Sequence, residues 1–286
     1  MPTTIDHPEI ILSEADFLKF REFFYRKTGI SFGEAKRYYV DKRIVERIEA
    51  TQSDSFRSYF TMLRFQASGE ELQHLTNLMT VNETYFLREE YQFRCLVDSI
   101  LPEIVRNKTT PGPIRIWCMP SSSGEEPYSI AMFLLERWPG IATNDVEIIA
   151  SDIDTGILTR AREGRYSARS VQQVPAPWLG KYFKQAGDEY LLSPDIKQVV
   201  DFTRVNLNEP GETRAYRNFD VIFCRNLLIY FDDLSRKAAA ETFYDALSPG
   251  GWVLLGHSES MSRISSLFSV RKFPEALVYQ KPREAP

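Results

Sequence analysis

The sequence predicts an α/β protein: an all-helical amino-terminal domain, then a mainly parallel sheet flanked by helices and carrying a small inserted β subdomain. Three observations predict it. Apolar residues recur at helical spacing through about the first 75 residues, short apolar runs alternate with helical segments from about residue 113, and prolines with short polar strands interrupt that alternation over residues 166–202. The chain has 286 residues, 43% hydrophobic and 26% charged, which supports a core of ordinary size and excludes a disordered or fibrous chain.

The elements follow in order. Ser13 with Asp16 opens a helix through Phe17, Leu18, Phe20 and Phe24, and Gly29 is placed to stop it. A second helix fits residues 34–50, with Val40, Ile44, Val45 and Ile48 on one side, and a third fits residues 55–65. Ser68 with Glu71 reads as the capping box of a fourth, through Leu72, Leu75 and Leu78 toward residues 80–88. The sheet begins with a strand at residues 114–118, a Ser/Gly turn and a helix over residues 125–137. A strand at 146–150, a helix at 154–162, a strand at 219–224, a helix at 233–247 and a strand at 252–255 continue the alternation, and residues 268–270 and 276–280 form a closing antiparallel pair. The expected organisation is a helical domain over residues 12–78, a linker over 79–92 and an α/β domain over 93–282, with the β subdomain at about 166–203.

Composition removes several functions. No apolar run approaches the roughly 18 residues of a membrane span, and residues 1–20 carry Asp6, Glu9, Glu14 and Asp16 without a basic start and apolar core. A soluble protein of the cytoplasm is expected. Cys95, Cys118 and Cys224 are isolated and read as core residues, and His7, His74 and His257 are too scattered for a histidine-based metal site or a Ser-His-Asp triad. A net charge of -4 gives no general attraction to nucleic acid. Gly256-His257-Ser258-Glu259-Ser260 resembles a hydrolase elbow but lacks the last glycine, and no histidine follows it.

The residues that can carry chemistry collect at predicted strand ends. Ser121 to Glu125 follow the first strand and open a helix, either as a plain capped turn or as a ligand site at unpaired backbone amides. Neither the dinucleotide glycine pattern nor a P-loop is present, which argues against NAD and ATP. Asp152, about 28 residues on, either caps the next helix or accepts the hydroxyls of a ribose. Glu125 and Glu126 would repel phosphate and attract an ammonium group, a combination that suggests S-adenosylmethionine. Arg225, Asn226 and Tyr230 follow the strand at 219–224, and Asn82, Thr84 and Arg88 lie in the linker.

Taken together, Asn82-x-Thr84-x-Phe86-x-Arg88, Ser123-Gly124-Glu125-Glu126-Pro127-Tyr128-Ser129, Ser151-Asp152-Ile153-Asp154, Val205-Asn206-Leu207 and Cys224-Arg225-Asn226-x-x-Ile229-Tyr230-Phe231-Asp232 resemble the chemotaxis receptor methyltransferases, the CheR family, in order from about residue 12 to 282. The resemblance implies a class I S-adenosylmethionine-dependent (Rossmann-like) methyltransferase domain behind the helical one, releasing S-adenosylhomocysteine. It implies esterification of glutamates on the cytoplasmic methylation helices of chemoreceptors. It also implies that Asn82, Thr84, Arg88, Glu125, Asp152, Asn206, Leu207, Arg225 and Asn226 line the cofactor site, with Arg88 and Tyr230 nearest the chemistry. The alternatives are a non-catalytic S-adenosylmethionine-binding adaptor and a small-molecule carboxyl methyltransferase. No metal, nucleic acid or membrane insertion is expected, and a monomer is.

Two departures from the family pattern stand out. Met119 and Pro120 replace small residues after the strand tryptophan, so Met119 is expected to add bulk near the cofactor and Pro120 to remove a backbone donor, and Leu87 replaces a phenylalanine before Arg88. Residues 17–48 hold nine Lys or Arg against four acids, and Lys36, Arg43 and Arg47 fall at i, i+7 and i+11, a helical stripe expected to dock the acidic receptor helices. Residues 182–192 read as a tight hairpin around Gly187, too short for an additional glycine-rich loop, so a member acting without a receptor carboxyl-terminal tether is expected.

Overall fold

The computed structural model describes residues 12–108 and 111–283, which divide into two compact units with the boundary between Thr80 and Val81. The first unit holds four helices: α1 (Glu14–Thr28), α2 (Arg37–Ala50, entered through a 3-10 turn at Glu34–Lys36), α3 (Phe56–Phe65) and α4 (Glu70–Met79). α1 starts and stops as its sequence predicts. The Ser13 hydroxyl accepts from the Asp16 amide, and Gly29 sits in the left-handed region (φ 75°) with its N–H donating to the Tyr25 carbonyl. Phe17, Phe20, Phe24, Val40, Ile44 and Ile48 are fully buried. The capping box expected at α4 does not form. Gly69 is the N-cap, the Gln66 side chain accepts the Glu71 amide (2.8 Å), and the Glu71 carboxylate turns inward to Arg47 and Tyr59.

That inward turn breaks the expected docking stripe. Arg47 makes a bidentate pair with Glu71 (2.9 and 2.6 Å), the two side chains only 18% and 5% exposed, and the Tyr59 hydroxyl donates to the same carboxylate (2.9 Å). Arg43 donates to the Leu78 carbonyl (2.6 Å) and stacks 3.5 Å over the Tyr39 ring, while the Tyr39 hydroxyl reaches the Met79 carbonyl (3.2 Å). Both arginines therefore fasten α2 to α4, Arg43 by satisfying a carbonyl at the end of α4 and Arg47 through the Glu71 carboxylate in its first turn. Of the three, Lys36 alone is exposed.

The second unit opens with α5 (Glu90–Cys95), which passes through a π turn at Leu96–Ile100 into α6 (Leu101–Asn107), helices not among those expected from the sequence. Then come β1 (Ile114–Cys118), α7 (Glu125–Arg137), β2 (Val146–Asp152) and α8 (Thr155–Glu163). The insertion contains β3 (Arg165–Ser167), α9 (Ala168–Val171), α10 (Ala176–Tyr182), β4 (Phe183–Ala186), β5 (Glu189–Leu192) and α11 (Pro194–Lys197). β6 (Val200–Arg204), α12 (Pro210–Thr213), β7 (Phe219–Cys224), α13 (Asp233–Ala246), β8 (Leu247–Leu255), β9 (Ser269–Lys272) and β10 (Leu277–Gln280) complete the unit.

The main sheet has seven strands in the order β6-β2-β1-β7-β8-β10-β9. The first five are parallel, and β10 pairs antiparallel with β8 and β9. Central β7 is buried along all six residues, as expected of a strand with both faces covered. Two boundaries differ from expectation. β6 lies within the range read as the insertion but joins the main sheet, Val200 opposite Ile148, and β8 begins at Leu247, ahead of the Pro249-Gly250-Gly251 turn signal. The insertion's own sheet is β3-β5-β4, with Ala186 opposite Glu189 across a two-residue loop whose Gly187 has φ 63°, the arrangement of a type II′ turn.

Candidate cofactor and acceptor site

From β1 the chain runs outward through β2 to β6 and then returns to β7 on the opposite side of β1, so the order reverses between β1 and β7. Open α/β sheets bind ligands at the carboxyl ends of strands flanking such a reversal. A small cleft lies there. Pro120, Ser121 and Ser122 from the end of β1, Glu126 from α7, Arg225 and Asn226 from the end of β7, Phe93 from α5, and Thr84, Tyr85 and Arg88 from the preceding linker line it. A larger cavity of about 560 Å³ opens at the amino ends of β1 and β7 around Lys108 and Asp220, on the side of the sheet where such folds do not place their ligands.

The backbone around the cleft is strained. Six non-glycine residues among those described have positive φ, and four of them, Leu87 (60°), Glu89 (57°), Ser122 (48°) and Asn226 (59°), line the cleft or flank Arg88. Such strain costs roughly 1 to 3 kcal/mol per residue and persists only where surrounding contacts impose it. Here they do. The Phe86 amide donates to the Ser170 carbonyl (2.9 Å) and the Leu87 amide to the Ser129 hydroxyl (2.9 Å), while the Ser122 amide donates to the Asp152 carboxylate (2.9 Å). Asn226 is fixed from below by Glu259, whose carboxylate accepts the amides of Asn226 (2.8 Å), Leu228 (2.8 Å) and Gly256 (2.9 Å). A side chain at Gly256 would place its Cβ 2.9 Å from the Asn226 side-chain Nδ2 and the Glu259 carboxylate and 3.1 Å from the Asn226 backbone nitrogen, so any larger residue must push these groups aside.

Arg225 organises the floor. Its guanidinium is 3% exposed, pairs with Glu126 (2.9 Å) and Glu89 (3.4 Å), and donates to the Arg88 carbonyl. Burial pushes the Glu126 carboxyl up against the opposing pull of Arg225, whereas Glu89, also penalised by burial, is held below its ordinary value by Arg225 and by hydrogen bonds from His257 and Tyr91. Three buried polar atoms here have no hydrogen-bond partner among the described residues: Ser122 Oγ, Glu126 Oε1 and Arg225 Nε. Leaving such atoms unpaired costs roughly 1 to 3 kcal/mol each, so the cleft is prepared for a ligand that presents both a cationic donor and acceptors.

The structure brings Thr84, Arg88, Arg225 and Asn226 to this cleft and leaves other expected residues at varying removes. Asn82 donates to Asp154 (2.8 Å) beside the end of β2. Asp152 is 3% exposed, its oxygens accept the amides of Ser122 and Asp154, and burial pushes its carboxyl up to about 6. Asn206 and Leu207 follow Val205, whose amide donates to the Asp152 carbonyl (3.0 Å). Tyr230 ends the 3-10 turn Leu228–Tyr230 and does not line the cleft. Glu125 departs most from expectation: it is 4% exposed and turned to the hydroxyls of Ser123 (2.6 Å) and Ser170 (2.7 Å), and its neighbour Glu126 faces the cleft. Consecutive helical residues point about 100° apart, so the paired acids alone could not tell which one turns inward. Met119 is also 2% exposed and off the cleft, its amide bound to the Phe223 carbonyl, so the expected bulk near the ligand is supplied by Pro120 instead.

Two family models match the chain. Residues 15–80 match the CheR methyltransferase all-alpha domain, and residues 82–277 the CheR methyltransferase SAM binding domain. Among curated proteins, Chemotaxis protein methyltransferase 2 of Vibrio cholerae is 58% identical over 96% of each chain. Chemotaxis protein methyltransferase 2 of Pseudomonas aeruginosa is 37% identical over 93% of this chain and 96% of its own, and the Chemotaxis protein methyltransferase of Salmonella typhimurium is 34% identical over 92% and 89%. S-adenosylmethionine suits the orphaned atoms: Glu126 Oε1 can accept from its ammonium group, and Ser122 Oγ and Arg225 Nε can donate to its carboxylate and hydroxyl oxygens. A cleft at the β1–β7 reversal with that donor set and both domain matches lead to one conclusion: the chain belongs to the CheR methyltransferase family and is an S-adenosylmethionine-dependent methyltransferase.

Proposed function

We propose that this enzyme esterifies glutamate side chains on the cytoplasmic methylation helices of bacterial chemoreceptors, working as a cytoplasmic monomer in sensory adaptation. The observation that carries this reading is Arg88. It lines the cleft, its guanidinium donates only to the Glu83 carbonyl (3.0 Å) and lies 5.8 Å over Tyr85, and among the described residues it forms no ion pair, whereas Arg225 beside it is paired with both Glu126 and Glu89. A guanidinium without a carboxylate partner at a cofactor cleft is suited to an incoming carboxylate.

S-adenosylmethionine supplies a methyl group activated by its sulfonium sulfur. The chain's own residues then have a positioning task. A glutamate side chain, with an ordinary pKa of about 4.3, is already ionised at neutral pH, so no general base is required and the absence of a histidine among the cleft residues is accounted for. Arg88 holds the acceptor carboxylate from the cleft, and Tyr230, outside the cleft lining at the end of the turn that follows Asn226, meets it from the rim. Arg88 orients it through one oxygen, since a bidentate grip would occupy the nucleophilic lone pairs of both. The buried network of Arg225, Glu126 and Glu89 keeps the cleft floor rigid and dry, and alignment of this kind is worth several kcal/mol. Incubation with methyl-labelled S-adenosylmethionine and chemoreceptor membranes should yield label on glutamate that mild base releases as methanol. Label confined to small molecules, or base-stable label, would overturn the reading.

A further inference from the structure

Next to the cleft lies a second depression of about 440 Å³, lined by Leu228, Ile229, Asp233, Arg236, Lys237 and Arg263, with Glu259 in its wall. Glu259 is also the carboxylate that fixes Asn226 in the cofactor cleft, and the segment from Asn226 through the Leu228–Tyr230 turn runs from one hollow to the other. The groove is thus tied, through Glu259 and this segment, to the cleft where the acceptor carboxylate is to be held.

Its surface has two unsatisfied features. Ile229 in its lining, and Leu234 in the first helical turn of α13, are 47% and 70% exposed. Its charges do not balance either. Arg236 pairs with Asp233 (3.2 Å) and donates to the Leu228 carbonyl (2.8 Å), and the Glu259 carboxylate is enclosed by three backbone amides. The side chains of Lys237 and Arg263 are exposed and, among the described residues, make no ion pair or hydrogen bond. Leu234 and Lys237 are three apart on α13 and so adjacent on its surface, which places an apolar contact and an unopposed cation one helical turn from each other.

We propose that this groove docks an acidic amphipathic helix of the acceptor protein, namely the turns that flank the glutamate being esterified. The apolar stripe of that helix covers Ile229 and Leu234 while its acids meet Lys237 and Arg263. This inference rests on the reading that the acceptor is a chemoreceptor methylation helix. It adds an electrostatic contact at the rim of the catalytic unit to the one expected of the amino-terminal unit, where Arg43 and Arg47 also have partners within their own unit.

The test compares the full chain with its Lys237→Glu/Arg263→Glu variant, using a chemoreceptor cytoplasmic fragment and labelled S-adenosylmethionine at several salt concentrations. At low salt kcat/KM for the fragment should fall about tenfold, with the gap narrowing as salt rises, because rim charges act mainly on encounter. Calorimetric affinity for S-adenosylhomocysteine and kcat at saturating fragment should stay within about twofold of wild type. The milder Lys237→Gln/Arg263→Gln pair should lose about threefold. Equal kcat/KM in wild type and both variants, with label still entering glutamate, would refute the groove and leave the receptor reading standing. Absence of base-labile label with the wild-type enzyme would refute the receptor reading and, with it, the groove.

Discussion

Arg47→Leu should destabilise the amino-terminal unit severely. The substitution leaves the Glu71 carboxylate, in a residue only 4% exposed, facing the Tyr59 hydroxyl without its cation. Exposed pairs contribute about 0 to 1 kcal/mol, but breaking a buried one costs about 3 to 5 kcal/mol because a charge is left desolvated and uncompensated. That is a large part of the 5 to 15 kcal/mol that holds a typical domain together. With a urea slope of about 1 to 2 kcal/mol/M for a unit this small, the midpoint should fall by roughly 2 M or more. The assay reads this unit selectively. All four tryptophans, Trp117, Trp138, Trp178 and Trp252, lie in the second unit, so far-UV circular dichroism should shift while the tryptophan fluorescence transition stays in place. Arg47→Leu/Glu71→Leu should recover much of the loss, since removing both charges also removes the desolvation problem. A loss below about 1 kcal/mol in the single variant would mean that Arg47 is a surface charge, and the account of α2 packing on α4 would be wrong.

Three further outcomes follow from the catalytic unit. Burial raises the Asp152 carboxyl from about 4 to about 6, so this group's contribution to stability is present below about pH 4 and lost as pH rises through about 6; Asp152→Asn should flatten the pH dependence of unfolding in that window. If the ionised form accepts ribose hydroxyls, S-adenosylhomocysteine affinity should also weaken below about pH 6 in the wild type, and calorimetry that finds equal affinity at pH 5 and 7.5 would exclude that role. Arg88→Ala and Tyr230→Phe should lower kcat by about 10-fold to 100-fold, a charge-assisted hydrogen bond each, with a much smaller effect on S-adenosylhomocysteine affinity; the reverse pattern would place both residues on the cofactor. Gly256→Ala should force Asn226 and Glu259 apart, costing about 1 to 3 kcal/mol in stability and weakening cofactor binding, and a thermal melt and affinity indistinguishable from wild type would show the loop to be slack.

The sequence was most legible where a local signal carries a local consequence. Ser13 and Gly29 bound α1, and the apolar runs of β1 and β7 were read at their observed limits, because capping and strand periodicity need no knowledge of the rest of the chain. Ranges with weaker punctuation were misread. β6 has the polar appearance of an insertion strand because it is the edge of the main sheet, and α5 and α6 carry no strong start signal. Side-chain partners across long separations were not legible at all. Arg47 looked like a free surface cation because Glu71 is 24 residues away, and Glu125 looked like the ligand-facing acid because its partner Ser170 is 45 residues away. The family resemblance supplied the location of the site, whereas its internal wiring through Glu89, Glu126 and Arg225 required coordinates.

The guanidinium of Arg225 bridges stretches of chain that lie 99 and 137 residues away, and Gln92 reaches the Leu255 carbonyl across 163. Closing loops of that length is slow relative to forming a helix, so the cleft should be among the last parts of the second unit to become ordered during folding. Until it closes, the positive-φ linker around Arg88 has nothing to impose its conformation, and a newly made chain is exposed to proteases there. A ligand that binds only the closed cleft holds the late-forming contacts together, adding about 2.7 kcal/mol at a concentration one hundred times its dissociation constant. Cellular S-adenosylmethionine would then govern how much intact enzyme survives synthesis as well as how fast it works.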